Sequence, residues 1–170
     1  MRVAIVQRKL PGERDRLSEL AELAAAAGYC PVIRLLQVRP PDSRYQIGPG
    51  KLEELAKLVD EYRIEKVIFY NELKPKQVYN LMKKLGVAVM DRFELILEIF
   101  SNRAGSREAK LQIELARLKR ELAFAKERIS LSKRTEYAGF LGGGRYEYDA
   151  YYRHVVSRIA KINRELERLR

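Results

Sequence analysis

The stretch KVIFYNELKPKQVYNLMKKLGVAVM, residues 66 to 90, holds one complete strand, helix and strand, and its punctuation decides the fold. KVIFY (66 to 70) is a short β-branched and aromatic run of the kind buried inside a sheet. Pro75 suits the first turn of a helix, where its missing N–H costs nothing, and Val78, Leu81, Met82 and Leu85 then recur at helical spacing. Gly86 supplies a residue that readily ends a helix, and VAVM (87 to 90) returns to a strand. Two strands separated by one helix pair in parallel.

The same alternation extends toward the N-terminus. RVAIVQ (2 to 7) reads as a strand, and Leu17, Leu20, Ala21 and Ala24 mark a helix that Gly28 stops. VIRLLQV (32 to 38) is the next strand, followed by the turn-rich loop RPPDSRYQIGPG (39 to 50) and a helix with Leu52, Leu55, Ala56 and Val59 on one face. Residues 1 to 90 therefore predict an α/β subdomain, a small parallel sheet flanked by helices in doubly wound order. Ligands of such sheets usually sit beyond the carboxyl ends of the strands.

After residue 90 the pattern changes. Asp91 and Glu94 are spaced as a capping box opening the helix RFELILEIF, and Gly105 interrupts before a longer one. Leu111, Leu115, Leu118, Leu122, Ala125 and Ile129 form one heptad seam; Tyr148, Tyr152, Val155, Ile159, Ile162, Leu166 and Leu169 form a second. Two seams joined by a short segment satisfy each other by folding back, so residues 91 to 170 predict an antiparallel helical hairpin, a coiled coil with a glycine-rich tip at 135 to 147. At 1.5 Å per residue each arm is about 40 Å long.

A chain of 170 residues with 46% hydrophobic content can bury one core, or one core plus a helical appendage, but not two full-sized domains. Its net charge of +11 is uneven: residues 1 to 102 hold 17 basic and 14 acidic side chains, residues 103 to 170 hold 17 and 9. The excess on the C-terminal part points to a polyanionic partner, against the plainer reading of solvated helix faces. Cys30, the single cysteine, lies in an apolar run and reads as a small buried hydrophobe in a reducing compartment. No apolar run approaches the roughly 20 residues of a membrane span, so the expectation is a cytoplasmic protein without a membrane partner. Abundant Lys, Arg and Glu without Trp resembles a thermophile's composition.

Three groups are candidate sites. IGPGK (47 to 51) invites a P-loop reading, but the Walker positions hold Tyr45 and Leu52 instead of a glycine and a magnesium-binding hydroxyl. Gly48, Gly50 and Lys51 remain possible anion-binding groups at a helix N-terminus, against the plainer reading of a turn entering a helix. Asp91, Glu94 and Glu98 are explained by capping and solvation, and the lone His154 has no nucleophile arrangement around it, so no catalytic residue and no metal ligand is assigned.

The third group is the tip, SLSKRTEYAGFLGGGRYEY (130 to 148). Its glycines follow no strand, which removes the context of a phosphate-cradling loop. Glycine lets a backbone approach a surface closely, arginine pairs with phosphates, and aromatics stack on unpaired bases. The RNA-binding candidates are Arg128, Lys133, Arg134, Tyr137, Phe140, Gly142, Gly143, Gly144, Arg145 and Tyr146. A solvated turn with incidental charge is the competing reading.

The chain closely resembles the N-terminal region of the HflX family of translational GTPases. IGPGKLEEL (47 to 55), VIFYNELKPKQVYNL (67 to 81) and VMDRFELILEIFSNRAGSREAKLQIELARLKREL (89 to 122) carry the resemblance, in order and over essentially the whole chain. In place of the Arg-Gly-Pro-Gly-Glu-like stretch of the bacterial pattern stands GGGRYEYDAYYRHV, which looks archaeal, so tip contacts do not transfer residue by residue. The family continues into a GTPase domain with a Walker lysine and a guanine-specificity motif, whereas this chain reaches Arg170 without them and is expected to be a fragment.

The resemblance implies docking on the large ribosomal subunit and its rRNA near the peptidyl transferase centre, in a protein that dissociates or rescues ribosomes. GTP and Mg2+ would belong to the C-terminal GTPase domain, the intramolecular partner, leaving this chain without a cofactor or catalytic activity of its own. A small-nucleotide-binding α/β domain and a coiled-coil protein-interaction module remain the alternatives.

Overall fold

In a computed structural model of the chain, residues 1–134 and 142–170 are described, with the side chains of 127–134 and 142–148 left aside. The elements are β1 (Arg2–Lys9), α1 (Leu17–Ala26), β2 (Cys30–Val38), α2 (Pro49–Glu61), β3 (Lys66–Phe69), α3 (Pro75–Leu85), β4 (Ala88–Asp91), α4 (Arg92–Arg103), α5 (Arg107–Arg134) and α6 (Gly142–Arg168). All strand pairs are parallel, in the order β2-β1-β3-β4. The alternation of short apolar runs with helices thus gives the expected α/β fold with a small all-parallel sheet.

Period-two alternation distributes the sheet's side chains between two apolar layers. Ala4, Val6, Val67 and Phe69 pack with Leu52, Leu55 and Val59 of α2 and Leu81 and Leu85 of α3. Val3, Ile5 and Ile68 point the other way, onto Leu20 and Ala24 of α1 and Leu95 and Ile99 of α4. Both faces being covered, the strands contain near-continuous apolar runs. Helix ends follow their punctuation: Pro49 and Pro75 open α2 and α3, and Gly86 closes α3 at φ 71°.

The chain divides into two compact units, Met1–Asn102 and Arg103–Arg170. The change of pattern after residue 90 predicts a helical part from residue 91, but α4 belongs with the sheet, because Leu95 and Ile99 complete the second apolar layer. Asp91 is the last residue of β4 and only 1% exposed. Its Oδ1 accepts the Glu94 N–H at 3.1 Å, the capping contact expected from the spacing, and its Oδ2 accepts the Leu73 N–H at 2.9 Å. Cys30 departs from expectation: it is exposed at the first residue of the edge strand β2, where one flank has no neighbouring strand.

In the second unit Leu111, Leu115, Ile162 and Leu166 form a buried cluster, with Leu118 and Ile159 half-buried against it. Val155 and Ala125 are buried as the seams require, whereas Leu169 is 46% exposed, since α6 ends at Arg168 and the seam runs out with it.

Candidate nucleic-acid interface

Three cross-helix contacts register α5 against α6. Arg107 Nε donates to Glu165 Oε1 at 2.8 Å, Arg158 Nε and Nη2 donate to the Glu114 carboxylate at 2.8 and 3.0 Å, and the Tyr151 hydroxyl donates to Glu121 at 2.6 Å. On α5 the partners step forward by seven residues, 107, 114 and 121; on α6 they step backward by seven, 165, 158 and 151. Each set recurs at seven-residue spacing on its own helix, so these contacts and the apolar cluster of Leu111, Leu115, Ile162 and Leu166 join the same two helices.

These contacts tune their own groups. The hydrogen bond from Arg107 holds the Glu165 carboxyl below its usual range, and the one from Arg158 does the same for Glu114. The hydrogen bond to Glu121, then burial, pushes the Tyr151 phenol from 10.0 up to about 12. Raised above its unfolded value, Tyr151 contributes stability that is present below pH 10.0 and lost as the pH climbs through about 12. Titrating the phenolates by ultraviolet absorbance should show a late-titrating component that includes Tyr151. Glu121→Gln should return it toward 10.0, and an unchanged titration in that variant would show that the hydrogen bond is not the cause.

The RNA candidates of the tip fall partly on helices. Arg128, Lys133 and Arg134 lie in the last turns of α5; Gly142, Gly143, Gly144, Arg145 and Tyr146 lie in the opening turns of α6. Tyr137 and Phe140 lie outside the described residues. The glycine run, expected in the connecting loop, is helical. Each of the three glycines lowers helix stability by about 1 kcal/mol relative to alanine, about 3 kcal/mol for the run, which disfavours but does not forbid backward propagation of a helix already nucleated further along α6.

The Gly48 to Lys51 turn meets the N-terminus of α2. Gly48 N–H donates to Gln37 Oε1 at 2.8 Å, Pro49 has no N–H, and Lys51 Nζ pairs with Glu54 at 3.1 Å. Only the amides of Gly50 and Lys51 remain as orphan donors of that helix end. Leu52 offers no hydroxyl for magnesium, so the turn does not fit a metal-bound triphosphate.

Nearby, at the carboxyl edge of the sheet, the polar groups are engaged by the chain's own loops. Asn71 exchanges two hydrogen bonds with the Arg8 backbone, at 2.7 and 2.8 Å, continuing the pairing of β1 beyond the end of β3. Gln46, buried and at φ 67°, accepts from Arg8 Nε at 2.6 Å and donates to the Glu72 carbonyl at 3.1 Å. Sequence reading missed this network, for which polar loop residues give no periodic signal. The Arg107, Glu114, Glu121 and Tyr151, Arg158, Glu165 sets did carry one, the seven-residue spacing.

The remaining candidates are scattered. Glu98 accepts the Tyr29 hydroxyl at 2.7 Å while Asp91 serves the Leu73 and Glu94 amides. His154 is exposed on α6. Among the described residues no helix is long and apolar enough to cross a membrane.

Comparisons with known proteins follow this architecture. The family described as GTP-binding GTPase N-terminal matches residues 14–101, and that described as GTP-binding GTPase Middle Region matches residues 103–170, the same division as the two compact units. The GTPase HflX of Thermofilum pendens is 58% identical over 98% of this chain and 40% of its own length. That of Thermococcus kodakarensis is 49% identical over 92% of this chain and 36% of its own. The crystal structure of a GTP-binding protein from the hyperthermophilic archaeon Sulfolobus solfataricus in complex with GDP superposes with a TM-score of 0.69 at 29% identity, over 99% of this chain and 46% of that one. The chain thus spans about 40% of the length of such relatives. With both regions matched in order and this degree of identity across nearly every residue, the chain belongs to the HflX GTPase family, as its N-terminal and middle regions.

Proposed function

We propose that this chain is the ribosome-docking part of an HflX-type GTPase, which binds the large ribosomal subunit and its rRNA and helps dissociate or rescue ribosomes in the cytoplasm. In this reading α5 and α6 form an antiparallel coiled-coil hairpin that carries the basic tip to RNA. GTP and Mg2+ belong to the C-terminal GTPase domain of the full-length protein. The observation that supports it is the concentration of charge on the helical unit, 17 basic against 9 acidic residues over 103 to 170. The carboxyl edge of the sheet, where a small nucleotide would be sought, has the Arg8, Gln46 and Asn71 groups hydrogen-bonded within the chain. An anion at the Gly50 and Lys51 amides would be a weak additional contact.

Co-sedimentation of the chain with purified large ribosomal subunits tests the reading directly. Replacing Lys133, Arg134 and Arg145 together by Ala should leave the circular dichroism intact. Affinity should fall, and the slope of log K against log salt should flatten by about 0.7 to 0.9 for each phosphate no longer neutralised. Replacing Tyr137, Phe140 and Tyr146 should lower affinity by about 1 to 3 kcal/mol per stacked base while the slope stays nearly constant. If folded forms of both variants sediment like the parent, the tip is not the contact surface.

A second expectation concerns turnover. The chain alone should hydrolyse no GTP, because the Lys51 turn lacks the magnesium-binding hydroxyl and its lysine faces Glu54. GTPase activity that co-purifies with the chain and vanishes on Lys51→Ala would show the opposite.

A further inference from the structure

The basic residues of the helical unit divide into two populations. Arg107 and Arg158 lie beside the seam and are neutralised across it by Glu165 and Glu114. On α6, Arg153, Ser157, Lys161, Arg164 and Arg168 follow one another at steps of four, four, three and four, which keeps them in a single row along one helix face. All five are exposed, while Val155, Ile162 and Leu166 of the same helix are buried against α5. The row therefore looks away from the seam.

Among the described residues none of its four cations forms an ion pair. Arg153 Nε donates to the Asp149 carbonyl at 3.3 Å, which fixes its direction without neutralising its charge. Arg168 adds to the field that lowers the Glu165 carboxyl, but the hydrogen bond of that carboxylate goes to Arg107. From residue 153 to residue 168 the row rises about 22 Å at 1.5 Å per residue. A linear array of unneutralised cations of that length complements the regularly spaced charges of a nucleic-acid backbone.

We propose that the outward row of α6, Arg153, Lys161, Arg164 and Arg168, is a phosphate-contacting surface separate from the tip, along which the sugar–phosphate backbone of a folded RNA runs. The inference rests on the RNA-docking reading and extends it from the end of the helical unit to its side. Contacts of this kind set position and register without reading sequence, so the row orients the unit on its RNA while the tip makes the local contacts.

The test uses the whole chain with large ribosomal subunits and with their deproteinised rRNA. Arg153→Gln, Lys161→Gln, Arg164→Gln and Arg168→Gln are combined, with Arg164→Gln and Arg168→Gln as a smaller variant should the larger one melt early; glutamine keeps good helix propensity. A control removes equal charge from exposed positions of the α/β unit, Arg14→Gln, Lys57→Gln, Lys76→Gln and Lys83→Gln. The row variant should flatten the salt slope by up to about 3, the control by clearly less. Equal flattening in both means that net charge alone acts, and an unchanged slope in the folded row variant removes the row from the interface; either overturns the proposal while leaving the docking reading standing. Loss of binding to whole subunits with unchanged binding to naked rRNA identifies an acidic ribosomal protein as the partner and overturns it too. A parent chain that binds neither probe overturns both readings together.

Discussion

Ile162→Ala is expected to destabilise the helical unit by about 3 to 4 kcal/mol, within the range for large-to-small changes at sites that cannot collapse. Ile162 is 0% exposed and packs with Leu111, Leu115 and Leu166 in the one buried cluster of the two long helices among the described residues. Truncation removes apolar contact on both helices at once, because the residue fills space between them. By contrast, Leu118→Ala and Ile159→Ala, which the seam pattern alone would rank equally, should each cost less, since both side chains are half-buried. Chemical denaturation followed by circular dichroism gives the comparison. Equal losses at Ile162 and Ile159 would mean that burial does not grade this seam.

The α/β unit should be most sensitive at Asp91. Its carboxylate is 1% exposed and accepts the Leu73 and Glu94 amides, tying the loop after β3 to the first turn of α4. Hydrogen bonds to a charged group contribute about 1.5 to 3 kcal/mol each, and the one from the Leu73 amide is made in a buried place. Asp91→Ala should therefore cost about 3 kcal/mol or more, combining a missing cap with the loss of two hydrogen bonds to a charged acceptor. Asp91→Asn should cost distinctly less, because an asparagine carbonyl still caps a helix but has a single oxygen to offer two amides. If Asn and Ala prove equivalent in thermal melts, the contribution of Asp91 is not its acceptor geometry.

Function was legible to different depths in the two units. The segments that carry the HflX resemblance are long and ordered, and family membership follows from them without any geometry. The RNA candidates rested on residue type around glycines, which identifies chemistry but not placement. Structure therefore assigned Gly142 to Gly144 to α6 and left Tyr137 and Phe140 outside the described residues. The outward row of α6 was present in the sequence all along, but a cation's ion pairing is a property of its neighbours in space.

Sequence alone determined what depends on neighbours along the chain. The four strands, the helix stops at Gly28 and Gly86, the helix start at Pro75, and the apolar faces of the long helices all follow from period and punctuation within a few residues. Tertiary structure decided what depends on residues far apart. The β2-β1-β3-β4 order, the allegiance of α4 to the sheet, and the capture of Gln46 and Asn71 at the strand ends each arise from contacts spanning tens of residues. The register that sets Arg107 on Glu165 and Arg158 on Glu114 is of the same kind: the heptad names the positions, and only packing of one helix against the other chooses which of them meet.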